Sequence, residues 1–202
     1  MFIGRKEELN FLEDRYNSAD GQLIVLYGRR RVGKTELLRQ FCQDKEHIFY
    51  TCTEIIDEKQ LEAFSQRLLE KNHQAAKYIT HFSDWEQALL SISELTKDKK
   101  IVVVIDEFPY MVKGNNAIPS ILQKLWDEVL KQSNVMLILC GSAMSFIEKE
   151  VLAEKNPLYG RATGVLKMQA MDFYSAQQFF PNYSIEDKIT AYAILGGMNE
   201  IG

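Results

Sequence analysis

Leu23-Ile24-Val25-Leu26-Tyr27-Gly28-Arg29-Arg30-Arg31-Val32-Gly33-Lys34-Thr35 decides how this sequence is read. An apolar run enters a segment that matches G-x-x-x-x-G-K-[ST] at every position, and a helical pattern of Leu37, Leu38, Phe41 and Cys42 follows. The spacing has a physical reason. Glycines at both ends let the backbone curl with its N–H groups pointing inward. The N-terminus of the next helix adds its own N–H groups, so the loop is a cradle for phosphates. Candidate phosphate contacts are Gly28, Val32, Gly33, Lys34, Thr35 and Glu36. Lys34 is expected to reach the β- and γ-phosphates, and the Thr35 hydroxyl to bind magnesium. Arg29, Arg30 and Arg31 either support the phosphates or a docked partner, or are simply exposed basic positions.

Four further short apolar runs lie at Ile48–Thr53, Ile101–Ile105, Val135–Cys140 and Val165–Gln169. Runs of this kind suit strands buried on both faces, as in a parallel sheet. Helical patterns lie between them. Asp57 is expected to cap a helix carrying Leu61, Phe64, Leu68 and Leu69. Ser83-Asp84-Trp85-Glu86 reads as a capping box opening the next helix. Pro119 fits the first turn of a helix with Ile121, Leu122, Leu125, Trp126 and Val129, and another helix is expected from Ala143 to Leu152. Alternating strands and helices predict an α/β fold of three layers with five parallel strands. From Asp172 only helical signals remain, including a cap at Ser184 and a run to Leu195 ended by Gly196. The expected division is therefore a core over 1–171 and the beginning of a helical lid over 172–202.

The third apolar run ends in Asp106-Glu107. Acidic residues at the tip of a buried strand stand at the carboxyl edge of the sheet, where α/β sites form. Asp106 is expected to hold magnesium, and Glu107 to polarise an attacking water as general base. The fourth run ends Leu139-Cys140-Gly141-Ser142, which offers Ser142 as a sensor of the γ-phosphate or the attacking water and, compatibly, as a helix N-cap. Arg161 precedes the fifth strand. It either stabilises transition-state charge, in its own site or a neighbour's, or is a loop arginine paired with a carboxylate.

Bulk composition limits the partners. The 202 residues are 46% hydrophobic and carry a net charge of -4, which lends no support to nucleic acid as the main ligand. Cys42, Cys52 and Cys140 form no CxxC pair, so a reducing cytoplasm is expected and a disulfide framework is not. The three histidines have no zinc-ligand spacing. No stretch approaches the ~18 apolar residues of a membrane helix, and the N-terminus does not read as a signal peptide.

Taken in order, these pieces resemble the archaeal-type ATPases, a P-loop group near the AAA+ and STAND ATPases. The matching segments are Phe2-Ile3-Gly4-Arg5 with Glu8-Leu9, then Tyr27–Thr35, Ile105-Asp106-Glu107-Phe108-Pro109-Tyr110, Gly141-Ser142, Tyr159-Gly160-Arg161 and Leu195-Gly196-Gly197. The resemblance implies a strand order of 5-1-4-3-2 and a segment at Ile3, Gly4 and Arg5 that packs near adenine. It implies ATP with magnesium as ligands. No N-K-x-D guanine-reading sequence occurs. The sequence departs from the family at Met198-Asn199, where a proline is usual in the lid. Members usually continue into a winged-helix region, whereas this sequence stops at Gly202 inside the expected lid, so it reads as a fragment, and any DNA or protein contacts of a further region are not read from these residues. An ATP hydrolase and a nucleotide-operated switch with little turnover are both consistent with these residues. An Arg161 that served a neighbour's site would require a homo-oligomer.

Overall fold

The computed structural model describes residues 2–97 and 99–195. Five strands form one all-parallel sheet: β1 (Gln22–Gly28), β2 (His47–Thr51), β3 (Ile101–Asp106), β4 (Val135–Gly141) and β5 (Gly164–Met168). Their order is β2-β3-β4-β1-β5, which is the expected order read from the other edge.

Why the central strands are apolar at every position is plain from the two cores. Odd and even residues serve opposite faces. Leu23 and Val25 of β1, Val103 and Ile105 of β3, and Leu137 and Leu139 of β4 face one layer. That layer holds α3 (Asp57–Leu69), α4 (Trp85–Leu95), α5 (Phe108–Gly114) and α6 (Ile118–Glu128). Ile24, Leu26, Val102, Val104, Met136 and Ile138 face the other, where α1 (Lys6–Tyr16) contributes Leu12 and α2 (Lys34–Cys42) contributes Leu37, Leu38 and Phe41. Every residue of β1, β3 and β4 is buried. Burial of this kind contributes roughly 1.5–3 kcal/mol per large apolar side chain.

Register fixes what the strand tips share. Tyr27 pairs with Gly141, Ile105 with Leu139, and Thr51 with Asp106. The carboxyl ends of β1, β3 and β4 therefore bring the phosphate loop, Asp106-Glu107 and Ser142 to one edge. At the start of that loop Gly28 lies so close to β5 that an added Cβ would stand 2.4 Å from the Met168 carbonyl oxygen. Only glycine fits there.

Several boundaries differ from the sequence reading. Asp57 is the first residue of α3 and not its cap; its carboxylate accepts from Trp85 Nε1 at 2.8 Å and Asn115 Nδ2 at 3.0 Å. The cap of α4 is Asp84, which accepts from the Gln87 N–H at 2.8 Å, while Ser83 donates to Asp84. The aspartate is the stronger acceptor and takes the place expected of the serine. The helix expected over 143–152 is a short α7 (Met144–Phe146) that widens into a π-helical turn over Ile147–Val151. The tail is helical, with α8 (Phe173–Ala176) and α9 (Ile185–Leu195), and Ser184 does cap the latter by accepting from the Asp187 N–H at 3.1 Å. Tyr192 donates to the Met171 carbonyl at 3.0 Å and its ring meets Phe173, which ties α9 back to the end of the sheet. The Gly196-Gly197 turn and Met198-Asn199 lie outside the described residues.

All three cysteines are free and buried. Burial pushes the Cys42 thiol up to about 12, and burial followed by the nearby Asp106 charge raises Cys140 and Cys52. The folded protein is therefore expected to leave a disulfide-based thiol reagent unreacted at pH 8, with all three thiols reacting once urea unfolds it. The raised values also mean that stability is full below the unfolded thiol pKa of about 8.5 and declines as pH rises above it. A thiol that reacts in the native state within minutes would contradict this packing.

Candidate functional site

The phosphate loop leaves β1 at Gly28 and enters α2 at Lys34. Gly33 is left-handed, with φ 87°, which lets the chain turn into the helix. The Lys34 ammonium is buried and donates to the Gly28 carbonyl at 3.0 Å and the Arg29 carbonyl at 2.8 Å. It thus lies across the mouth of the loop, where a bound phosphate would compete for it.

The Thr35 hydroxyl, one residue on, donates to Asp106 Oδ2 at 2.8 Å. Asp106 is 2% exposed, and its other oxygen accepts from the Glu107 N–H at 3.0 Å. Glu107 adopts φ 52°, a left-handed conformation that non-glycine residues seldom take. It stands immediately before α5, and one of its oxygens accepts from Ser142 twice, from the N–H at 3.2 Å and the Oγ at 2.9 Å. Ser142 therefore does not cap the following helix, whose N-cap is Ala143. Three chain segments thus converge on a set of hard oxygen donors beside Lys34.

A cavity of about 620 Å³ opens over these residues. Its floor includes Gly33, Lys34, Thr35 and Glu36, with Glu107 at one side. Apolar groups also line it, Phe2 and Ile3 from the N-terminus and Phe179 from the tail, together with Arg30, Arg31 and Arg39. Such a volume falls in the range of small-molecule sites, and the pairing of a polar floor with aromatic side chains suits a ligand with anionic and flat apolar ends. Gly4 and Arg5 line a neighbouring depression instead. The Arg5 guanidinium is bonded to Glu8, Val32 and Gln169.

Arg161 is held differently. Its guanidinium straddles Asp127 at the end of α6, with Nε 3.0 Å from both carboxylate oxygens and Nη2 2.6 Å from Oδ2. Nη1 donates to the Pro157 carbonyl at 2.8 Å. The arginine thus closes its own loop onto α6, in the carboxylate-paired arrangement, and is absent from the cavity lining described above.

Phe179 and Arg39 are the cavity residues that sequence reading missed. Arg39 was within reach, because it follows Thr35 by four residues on α2 and so shares its face. Phe179 sits in a short turn far from any motif, and its position depends on how the tail folds back.

A P-loop sheet with an acidic pair at the tip of the third strand defines the class, and comparison with known proteins gives the family. The profile of ATPase domains predominantly from Archaea matches residues 2–200. An uncharacterized protein of Methanocaldococcus jannaschii is 36% identical over 198 residues, covering 98% of this chain and 42% of the relative. Among solved structures, the Walker-type ATPase paby2304 of Pyrococcus abyssi superposes with a TM-score of 0.72 at 21% identity, over 98% of this chain and 64% of that one. The ORC2 protein of Aeropyrum pernix, solved as ADPNP–ADP complexes, gives 0.62 at 15% identity, over 92% of this chain and 51% of that one. The chain belongs to the archaeal ATPase-domain family. It spans less than half the length of that first relative.

The Arg161–Asp127 contact generates a test. Asp127→Ala and Arg161→Ala are each expected to lower the thermal midpoint, Arg161→Ala more, because it also abandons the Pro157 carbonyl. The pair is partly exposed, so the coupling in a double-mutant cycle should be about 0.5–1 kcal/mol. Strict additivity of the two substitutions would show that the contact is not made in solution.

Proposed function

We propose that this domain binds ATP together with a magnesium ion and hydrolyses the β–γ phosphoanhydride. One observation carries the reading: the Thr35 hydroxyl and the Asp106 carboxylate are in contact at 2.8 Å beside Lys34 and Glu107, under a single cavity. A hydroxyl and a carboxylate are hard oxygen donors, and that donor set fits a small divalent cation. When bound, the cation would neutralise charge on the phosphate oxygens. Gly28, Val32, Gly33, Lys34, Thr35 and Glu36 bind the phosphates in this reading. Ile3, with Phe2 and Phe179, receives the base. Glu107 takes a proton from the attacking water, and Ser142 aims its carboxylate. The core over 1–171 carries the chemistry, and the tail from 172 acts as a lid that brings Phe179 over the base.

The alternative is a nucleotide-operated switch with little turnover, in the manner of AAA+/STAND-like ATPases. Its supporting observation is that the Glu107 carboxylate is already engaged by both donors of Ser142, which keeps the base occupied until something frees it. A role for Arg161 in either scheme requires it to leave Asp127, and service to a neighbouring copy requires an oligomer. A cytoplasmic location is part of the same proposal. Among the described residues no helix is long and apolar enough to cross a membrane.

Thermal midpoints with ATP, with GTP and with neither, each with magnesium, are to be read beside phosphate release. ATP at ~100 times its Kd should stabilise the fold by roughly 2.7 kcal/mol, an easily read shift. Lys34→Ala is expected to lose that shift. Glu107→Gln is expected to keep it and lose phosphate release by a factor of about 10² or more. Equal ATP binding by Lys34→Ala would remove the phosphate-loop assignment. Unchanged release by Glu107→Gln would remove the general base, and a stabilised wild type that releases no phosphate would favour the switch.

A further inference from the structure

Against the phosphate loop, in the depression beside the cavity, sits a guanidinium that is largely buried. Gly4 and Arg5 are both left-handed, with φ 69° and 62°, and this double turn carries the chain from the cavity wall at Phe2 and Ile3 into α1. The Arg5 side chain is only 7% exposed. Nη1 donates to Glu8 Oε1 at 2.7 Å, and Nη2 donates to two backbone carbonyls, Val32 at 2.9 Å and Gln169 at 2.7 Å. Val32 belongs to the phosphate loop, and Gln169 follows the last residue of β5. One planar group therefore ties together the N-terminal strap, the loop and the end of the sheet.

The bond to Val32 has a directional consequence. Among the described residues there is no cis peptide bond, and in a trans peptide the C=O and the following N–H point in opposite directions. Drawing the Val32 carbonyl toward Arg5 turns the Gly33 N–H the other way, and Gly33 lines the cavity. Gly33 is also the residue least able to hold its own peptide plane, since glycine rotates freely. A charge-assisted bond from a buried arginine is a strong external restraint on that plane.

We propose that Arg5 is a positioning residue for the phosphate loop: it fixes the Val32–Gly33 peptide so that the Gly33 N–H faces the phosphates, and it does not act by touching adenine. This rests on the reading above that the loop binds a triphosphate. Lysine cannot substitute fully, because a single ammonium lacks the flat fork that reaches Glu8 and both carbonyls together.

The test measures dissociation constants for magnesium-ATP and for magnesium-tripolyphosphate, which has no base. Wild type, Arg5→Met and Arg5→Lys are compared well below their thermal midpoints, with folding checked by circular dichroism. Arg5→Met should weaken both ligands by similar factors of about tenfold or more, and Arg5→Lys should recover part of the loss for both. If ATP weakens while tripolyphosphate does not, Arg5 serves the base and the proposal is overturned. If the midpoint falls while both affinities hold, Arg5 is a structural clamp and the proposal is again overturned. Should Arg5→Met fail to fold, Arg5→Lys alone decides by the same comparison. A wild type that binds neither ligand would instead sink the phosphate-loop reading itself.

Discussion

The hydrogen bond from the Thr35 hydroxyl to the Asp106 carboxylate joins residues 71 positions apart, and the remaining geometry of the site follows from how that contact is made. Thr35 is placed by the turn of the phosphate loop into α2. Asp106 is placed by a strand whose every residue is buried, so its depth in the sheet cannot vary without exposing Val103, Val104 or Ile105. A one-residue slip of β3 would exchange the two cores and send apolar side chains to the wrong layers. The sheet thus converts hydrophobic register into the position of a carboxylate.

Glu107 shows what this placement costs. It must leave the strand at once and open α5, and it does so in a left-handed conformation costing on the order of 1–3 kcal/mol. The surrounding structure holds it there. Gln60, fully buried in α3, donates to the Tyr110 carbonyl in α5 and accepts from the Thr53 N–H, while Asp57 accepts from Asn115 at the other end of the same helix. Helix α5 is therefore clamped along its length, and the residue that precedes it inherits that rigidity.

Much of this was legible in the sequence because the strongest local signals and the global pattern agree. Uninterrupted apolar strands, a glycine-framed loop and an acidic strand tip each have one ready physical interpretation, and together they gave the parallel sheet and its edge. What escaped reading was decided at a distance. Asp57 looks like a helix cap, but Trp85 and Asn115 claim its carboxylate. Ser142 looks like a cap as well as a sensor, and its bonds to Glu107 exist only because β3 and β4 are neighbours. Phe179 belongs to the cavity solely through the fold of the tail, and no periodicity announces that. The partner of Arg161 lies 34 residues upstream, so a loop arginine gave no sign of which carboxylate it would find.

Gly28 and its neighbours also divide the loop into positions that can and cannot change over time. The Met168 carbonyl leaves no room for any side chain at Gly28, and Val32 is buried at 2% exposure with its carbonyl committed to Arg5. Arg29 between them is exposed and outside the cavity lining, whereas Arg30, though exposed, lines the cavity. Inherited substitutions can therefore accumulate on the outer rim of the loop, where a lineage could acquire or lose a docking partner, while the ends that shape the cradle stay as they are.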